Sequence, residues 1–111
     1  MATTQMLKGL IDGCLLAIIS REEVYGYEIA ERLATYGFTS MSEGTIYPIL
    51  LRMQKEELVT SKTKKSTAGP RRKYYYITKK GLTELASFED RWNSLQRNVD
   101  NVLMNRKEQG V

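Results

Sequence analysis

Leu58-Val59-Thr60-Ser61-Lys62-Thr63-Lys64-Lys65-Ser66-Thr67-Ala68-Gly69-Pro70-Arg71-Arg72-Lys73-Tyr74-Tyr75-Tyr76-Ile77-Thr78 is the stretch on which the fold of this chain turns. Residues 58–63 are β-prone and residues 72–78 strongly so. Between them, Ser66 to Pro70 are turn formers. The stretch therefore predicts a β-hairpin with a basic loop. A lone hairpin is only marginally stable in water, so it needs helices to pack against. Strand alternation puts Tyr75 and Ile77 on one face and Tyr74 and Tyr76 on the other, and one of these faces is expected to meet the helices.

Charge singles out the same stretch. The chain has 111 residues, with 17 basic and 13 acidic side chains and a net charge of +4. From Thr60 to Lys80 there are eight basic residues and no acidic ones, which leaves 9 basic and 13 acidic residues elsewhere, a net of −4. A weakly acidic body carrying a +8 segment points to a polyanion-binding surface confined to one place.

Upstream of the hairpin the apolar period is helical. Leu7, Leu10, Ile11, Cys14, Leu15, Ile18 and Ile19 recur at spacings of three and four, predicting a helix over 6–19 with Thr3 or Thr4 as cap. Cys14 falls on the apolar face and reads as a small buried core side chain. After a short polar turn, Ser20 to Glu23, a second helix is expected from about Tyr25 to Tyr36, with Gly37 at the stop position. A third begins near Ser42, a good N-cap, and runs to about Glu57 with Ile46, Ile49, Leu50 and Met53 as its buried stripe. Pro48 would lie in its second turn, so either the first turn opens or the helix starts later.

Downstream, residues 79–107 predict one long helix of about 40 Å, with Thr78 as its cap. Leu85, Trp92 and Val99 form one seven-residue series, and Phe88, Leu95 and Val102 the interleaved one. A small domain cannot cover so long a seam, so these six residues predict a homodimer interface, with Leu82, Leu85 and Phe88 at the near end packing on the first helix of the same chain.

Several function classes are excluded. The length suits one ordinary domain. A single cysteine allows no internal disulfide, and without histidine there is neither a structural zinc site of the usual Cys/His type nor a His-dependent triad. No apolar run approaches the 20 or so residues of a spanning helix, and the start of the chain has no secretory pattern. There is no Gly-rich phosphate loop. Glu22, Glu23, Glu56 and Glu57 read as surface charge. The expectation is a cytoplasmic, non-enzymatic protein without cofactor or metal.

Three helices followed by a hairpin with a basic tip are the order of a winged helix-turn-helix. The fold class is mainly α with a small β-hairpin (α+β), with residues 1–78 as a DNA-binding domain and 79–111 as a dimerisation helix. In such a module the N-terminal part of the third helix meets base edges and the wing neutralises phosphates. The DNA-binding candidates on the third helix are Ser42, Glu43, Thr45, Tyr47 and Arg52. Those on the wing are Lys62, Lys64, Lys65, Arg71, Arg72 and Lys73. Tyr47 could equally be a half-buried structural aromatic, and Arg52 a salt-bridged surface residue.

Three segments also carry a family resemblance: Tyr25-Gly26-Tyr27-Glu28-Ile29, then Gly44-Thr45-Ile46-Tyr47-Pro48-Ile49-Leu50, then Gly69-Pro70-Arg71-Arg72-Lys73-Tyr74-Tyr75-Tyr76-Ile77-Thr78 leading into Gly81. In this order and spacing they resemble the PadR-like transcriptional regulators, over nearly the whole chain. With its single C-terminal helix, the chain is similar to the short subfamily, which includes a multidrug-binding repressor. The resemblance implies a bacterial homodimer that binds operator DNA and usually represses. It also implies that Trp92 could pair with its symmetry mate and stack a flat aromatic or hydrophobic effector; plain interface packing and a solvent-exposed role are the alternatives. Two-fold symmetry predicts a palindromic operator. The competing function is a winged-helix module that docks protein partners without regulating DNA directly.

Overall fold

The computed structural model describes residues 6–7, 9–65 and 69–108, with only the helical backbone described for 106–108. Its elements are α1 (Ile11–Arg21), β1 (Val24–Tyr25), α2 (Gly26–Thr35), α3 (Glu43–Lys55), β2 (Val59–Lys65), β3 (Arg71–Ile77) and α4 (Lys79–Glu108).

The helix expected over 6–19 is broken near its start. Residues 6–7 are helical, Gly9 then takes φ +87°, a conformation that glycine adopts without cost, and helix resumes at Ile11. The capping role considered for Thr3 or Thr4 lies outside the described residues. From Ile11 onward Ile11, Leu15, Ile18 and Ile19 are buried as read, and Leu16, which the spacing did not include, is buried with them. Cys14 is only partly buried against this core, a correction to its expected placement inside it.

Helix α3 settles the Pro48 question in favour of the early start. Ser42 Oγ accepts from the Thr45 N–H at 3.3 Å, and the Ile46 N–H reaches the Ser42 carbonyl at 3.0 Å. The helix then runs through Pro48, which lacks the N–H for one ladder bond. Both α2 and α3 end with the same pair of bonds. Phe38 N–H reaches Leu33 O at 2.9 Å and Gly37 N–H reaches Ala34 O at 3.0 Å; Leu58 N–H reaches Met53 O at 2.9 Å and Glu57 N–H reaches Gln54 O at 3.1 Å. Such a closure puts one residue in the left-handed region. After α2 that residue is Gly37, at φ +107°; after α3 it is Glu57, at φ 63°, where a side chain is strained.

The hairpin gains a third strand. Two-residue β1 pairs with β3, so the sheet order is β1-β3-β2, antiparallel throughout. Val24, Val59 and Tyr75 close the core from the sheet side; Ile29, Leu33, Ile46, Leu50 and Met53 do so from α2 and α3. Each such aliphatic side chain contributes about 1.5–3 kcal/mol through burial.

Strand β3 passes into α4 through Thr78 alone. Its hydroxyl donates to the carbonyl of Glu57 (2.7 Å) or Leu58 (3.0 Å) and accepts the Gly81 N–H at 2.9 Å, which is the expected cap. A Cβ on Gly81 would overlap the Leu58 carbonyl oxygen, so only glycine lets the helix start this close to the strand. Leu85 packs on the core and Phe88 lies against Gly13 of α1. Leu82 does not follow them: it is 50% exposed, a correction to its expected packing. Beyond Trp92 the described residues of the helix, 93–105, are all exposed, and the long axis of the molecule is 59 Å.

Candidate nucleic-acid interface

The N-terminal edge of α3 is open. Ser42, Glu43, Gly44 and Thr45 are all exposed, and the Ser42 and Thr45 hydroxyls lie 3.2 Å apart. Pro48 and Tyr47 follow on the same exposed edge, Tyr47 with half its surface free. Arg52 is turned the other way. Its guanidinium grips Asp12 of α1 at 2.9 and 3.1 Å and approaches Glu56 at 3.7 Å. It braces α3 against α1, and the Asp12 hydrogen bond strengthens its hold on its proton.

The β2–β3 register sorts the wing cations onto two faces. Tyr75 is buried, so the residues sharing its face point toward the helices. Those are Lys73 and Arg71 on β3, with Thr63 and Lys65 as their β2 partners. Arg72, Tyr74 and Tyr76 point outward, with Lys64, Lys62 and Thr60 opposite them. The six basic residues that the charge count treats as one surface therefore divide into Lys65, Arg71 and Lys73 on the inner face and Lys62, Lys64 and Arg72 on the outer.

The inner face is tied to α3. Lys73 Nζ lies 6.0 Å from the Tyr47 ring centre and 5.8 Å from that of Tyr75. One ammonium thus spans the gap between the reading edge of α3 and the wing, at a separation where cation–π attraction is about 0.5–1 kcal/mol for exposed groups. Burial, together with the neighbouring Tyr47, pushes the Tyr75 phenol above its ordinary value. Among the described residues, Lys65, Arg71 and Lys73 have no acidic partner, so all three charges are available to an external anion.

The outer face is a ladder of cations and rings that sequence reading did not assemble. Arg72 lies 4.5 Å from the Tyr25 ring centre, Lys64 4.8 Å from Tyr74 and Lys62 6.0 Å from Tyr76. Tyr25 and Tyr74 meet edge to face at 5.5 Å. Glu23, read as plain surface charge, joins this face: its carboxylate accepts from Lys64 Nζ at 2.6 Å and from the Tyr76 hydroxyl at 2.8 Å. Those two hydrogen bonds hold the Glu23 carboxyl below the usual carboxylate range. The missed signal is β1, which carries Tyr25 and brings Glu23 to the edge of β3.

The model of the transcriptional regulator PadR-like family matches residues 15–87. The chain belongs to this family. Its members are transcriptional regulators, which agrees with the expectation that the chain is not an enzyme. The PadR-like chain is similar to a solved PadR-like transcriptional regulator from Bacillus cereus, with 56% identity and a TM-score of 0.83 over 89% of this chain and 96% of that one. It is also similar to a transcriptional regulator from Streptococcus, with 36% identity and a TM-score of 0.81 over 88% and 96%. Bacillus subtilis PadR, solved in complex with operator DNA, matches with 25% identity and a TM-score of 0.63 over 70% of this chain and 45% of that longer one. The winged helix with a long C-terminal helix is therefore the fold expected from the sequence, with β1 as an addition.

In the PadR-like chain an open apolar cleft of about 490 Å³ lies between α4 and the segment leading into α1, lined by Met6, Leu7, Leu10, Cys14, Phe38, Phe88 and Trp92. Trp92 is 39% exposed at its mouth. Further along α4, Leu95, Val99, Val102 and Leu103 are exposed as well. Of the six expected interface residues, Leu85 and Phe88 are spent largely within the chain, while Trp92, Leu95, Val99 and Val102 face solvent. Burial pushes the Cys14 thiol above its ordinary value, so it is a poor nucleophile despite facing the cleft. Among the described residues, no helix is long and apolar enough to cross a membrane and no group of acidic or thiol side chains could hold a metal.

Proposed function

We propose that this PadR-like regulator is a cytoplasmic homodimeric repressor that grips a palindromic operator with two reading heads and is released by a flat aromatic or hydrophobic effector. The observation that carries the DNA reading is the joining of α3 to the inner wing face: Lys73 sits between Tyr47 and Tyr75, with Lys65 and Arg71 on the same face and, among the described residues, no acidic side chain paired with any of the three. Ser42, Glu43, Thr45 and Tyr47 would meet the major groove, and Lys65, Arg71 and Lys73 the adjoining phosphates. Arg52 would serve as a brace, given its pairing with Asp12. The Bacillus subtilis relative solved with operator DNA supports a DNA partner.

The dimer is supported by the apolar stripe Leu95, Val99 and Val102 on a helix that stands off the body. Reading heads about 34 Å apart would match one DNA turn. The division at 78/79 is functional, since Gly81, Leu85 and Phe88 join the start of α4 to the head. The cleft at Trp92 has the size and apolar lining of a small-molecule site, and pairing two copies would enclose it further.

Fluorescence anisotropy against duplex DNA from the gene's own promoter region tests the reading. Binding is expected to be tight at low salt and to fall steeply as salt rises. Binding that is absent or indifferent to salt would refute it. Leu95→Glu with Val99→Glu is expected to give monomers by sedimentation and to abolish operator binding. Because Trp92 is the chain's single tryptophan, quenching of its emission by flat aromatic compounds tests the effector site directly.

A further inference from the structure

We propose that Lys64 Nζ and the Tyr76 hydroxyl form a phosphate-binding position on the outer face of the wing, and that the chain's own Glu23 carboxylate occupies it when DNA is absent. This rests on the DNA-binding reading above. The geometry is that of an oxyanion held by two donors: one Glu23 oxygen takes a charge-assisted bond from Lys64 at 2.6 Å and a hydroxyl bond from Tyr76 at 2.8 Å. A non-bridging phosphate oxygen presents the same acceptor to the same two donors. Lys64 lies directly opposite Arg72 in the register and next to Lys65, at the loop end of the hairpin. A wing set against a duplex brings this flank up to the backbone.

Three features mark the carboxylate as a resident competitor rather than a fixed brace. The Lys64 and Glu23 side chains keep 46% and 42% of their surface, so the pair is open to solvent and readily exchanged. Arg72 and Lys62, the other cations of that face, have no acidic partner among the described residues and rest on tyrosine rings. A phosphate at Lys64 would gain the field of Arg72 in addition. Glu23 is also the only acidic side chain paired with any wing cation among the described residues. Its neighbour Glu22 pairs at 2.6 Å with Arg32 of α2.

That neighbour supplies the control, because Glu22→Gln and Glu23→Gln remove the same charge one residue apart. Each variant is titrated by anisotropy with a short duplex of random sequence over a range of salt. Glu23→Gln is expected to bind about fivefold tighter at low salt, the upper worth of an exposed ion pair no longer broken. Its salt slope should steepen by up to about 0.9 per wing, because in the parent the displaced Glu23 carboxylate takes up a cation and offsets the one released at the phosphate. Glu22→Gln should leave the slope unchanged, and in a Lys64→Gln background Glu23→Gln should have no effect. In the parent, the Glu23 carboxyl carbon signal in NMR should move when the duplex is added, a readout that needs no variant to fold. Equal effects of the two glutamine variants, an undiminished gain without Lys64, or an unmoved Glu23 signal would each overturn the proposal. A parent that shows no salt-sensitive binding would overturn the DNA reading itself, and this inference with it.

Discussion

Neutralising the inner wing face by Lys65→Gln, Arg71→Gln and Lys73→Gln separates a two-sided wing from a uniformly basic one. These three side chains share the face of the buried Tyr75, and Lys73 lies beside Tyr47 of α3. If each neutralises one phosphate, the slope of log K against log salt should shrink by about 0.9 per contact, or about 2.7 for each wing. Between 50 and 200 mM salt, a change of that size narrows the affinity gap between parent and variant about 40-fold per wing. The comparison protein is Lys62→Gln with Arg72→Gln, which removes two charges of the same sign from the outer face. Its slope should change by much less, because Lys62 and Arg72 rest on tyrosine rings and the one phosphate assigned to the outer face is held by Lys64 and Tyr76. Anisotropy over five or six salt concentrations reads both slopes, and circular dichroism confirms that both variants fold. If the slope change per charge removed is the same on the two faces, side does not matter and the assignment of the inner face to the operator fails.

Three further predictions concern the scaffold and the cleft. Glu57 holds a left-handed conformation at φ 63°; Glu57→Gly removes about 1–2 kcal/mol of backbone strain and costs about 0.5–1 kcal/mol in chain entropy. The balance should raise the unfolding midpoint by several degrees at fixed protein concentration, and an unchanged or lower midpoint would contradict the strain. At Gly13 an added methyl overlaps the Phe88 ring, so Gly13→Ala should destabilise by about 1–3 kcal/mol and shift Trp92 emission as α4 lifts from α1; a neutral result would mean that this contact is not made in solution. Cys14 titrates above the ordinary thiol range because burial disfavours the thiolate, so alkylation at pH 8 should be slow in the folded protein and speed up sharply in denaturant, and equal rates would refute its burial.

How much of this was legible in the sequence depended on the range of each signal. The wing declared itself because the turn formers, the tyrosine-rich strand and the charge run coincide within residues 58–78. Alternation along 74–77 separated the two faces correctly, but a tally of charge ignores facing and so pooled Lys62, Lys64 and Arg72 with Lys65, Arg71 and Lys73. Strand β1 was invisible because two residues, Val24 and Tyr25, carry no period, and their pairing with Tyr75 and Tyr74 is set some 50 residues away. The break at Gly9 was hidden because the apolar spacing of Leu7, Leu10 and Ile11 runs straight across it. Helical spacing could equally not foresee that Arg52 would be drawn to Asp12, a partner on another helix. The exposure of Leu82 is the instructive miss: it falls outside both seven-residue series, and the helix turns it away from α1.

The join at Thr78 has a mechanical consequence. With one residue between Ile77 and Lys79, and with the start of α4 clamped on the Leu58 carbonyl, strand and helix behave as two arms of a lever pivoted there. Trp92 lies 14 residues along the helical arm, about 21 Å from the pivot at the usual rise. The tip of β3 lies seven residues along the other arm, about 23 Å away. The arms are nearly equal, so a shift of an ångström at the cleft demands a shift of about the same size at the wing tip unless the sheet bends to absorb it. A tilt of the 30-residue helix about this join would therefore reach the wing tip in nearly equal measure.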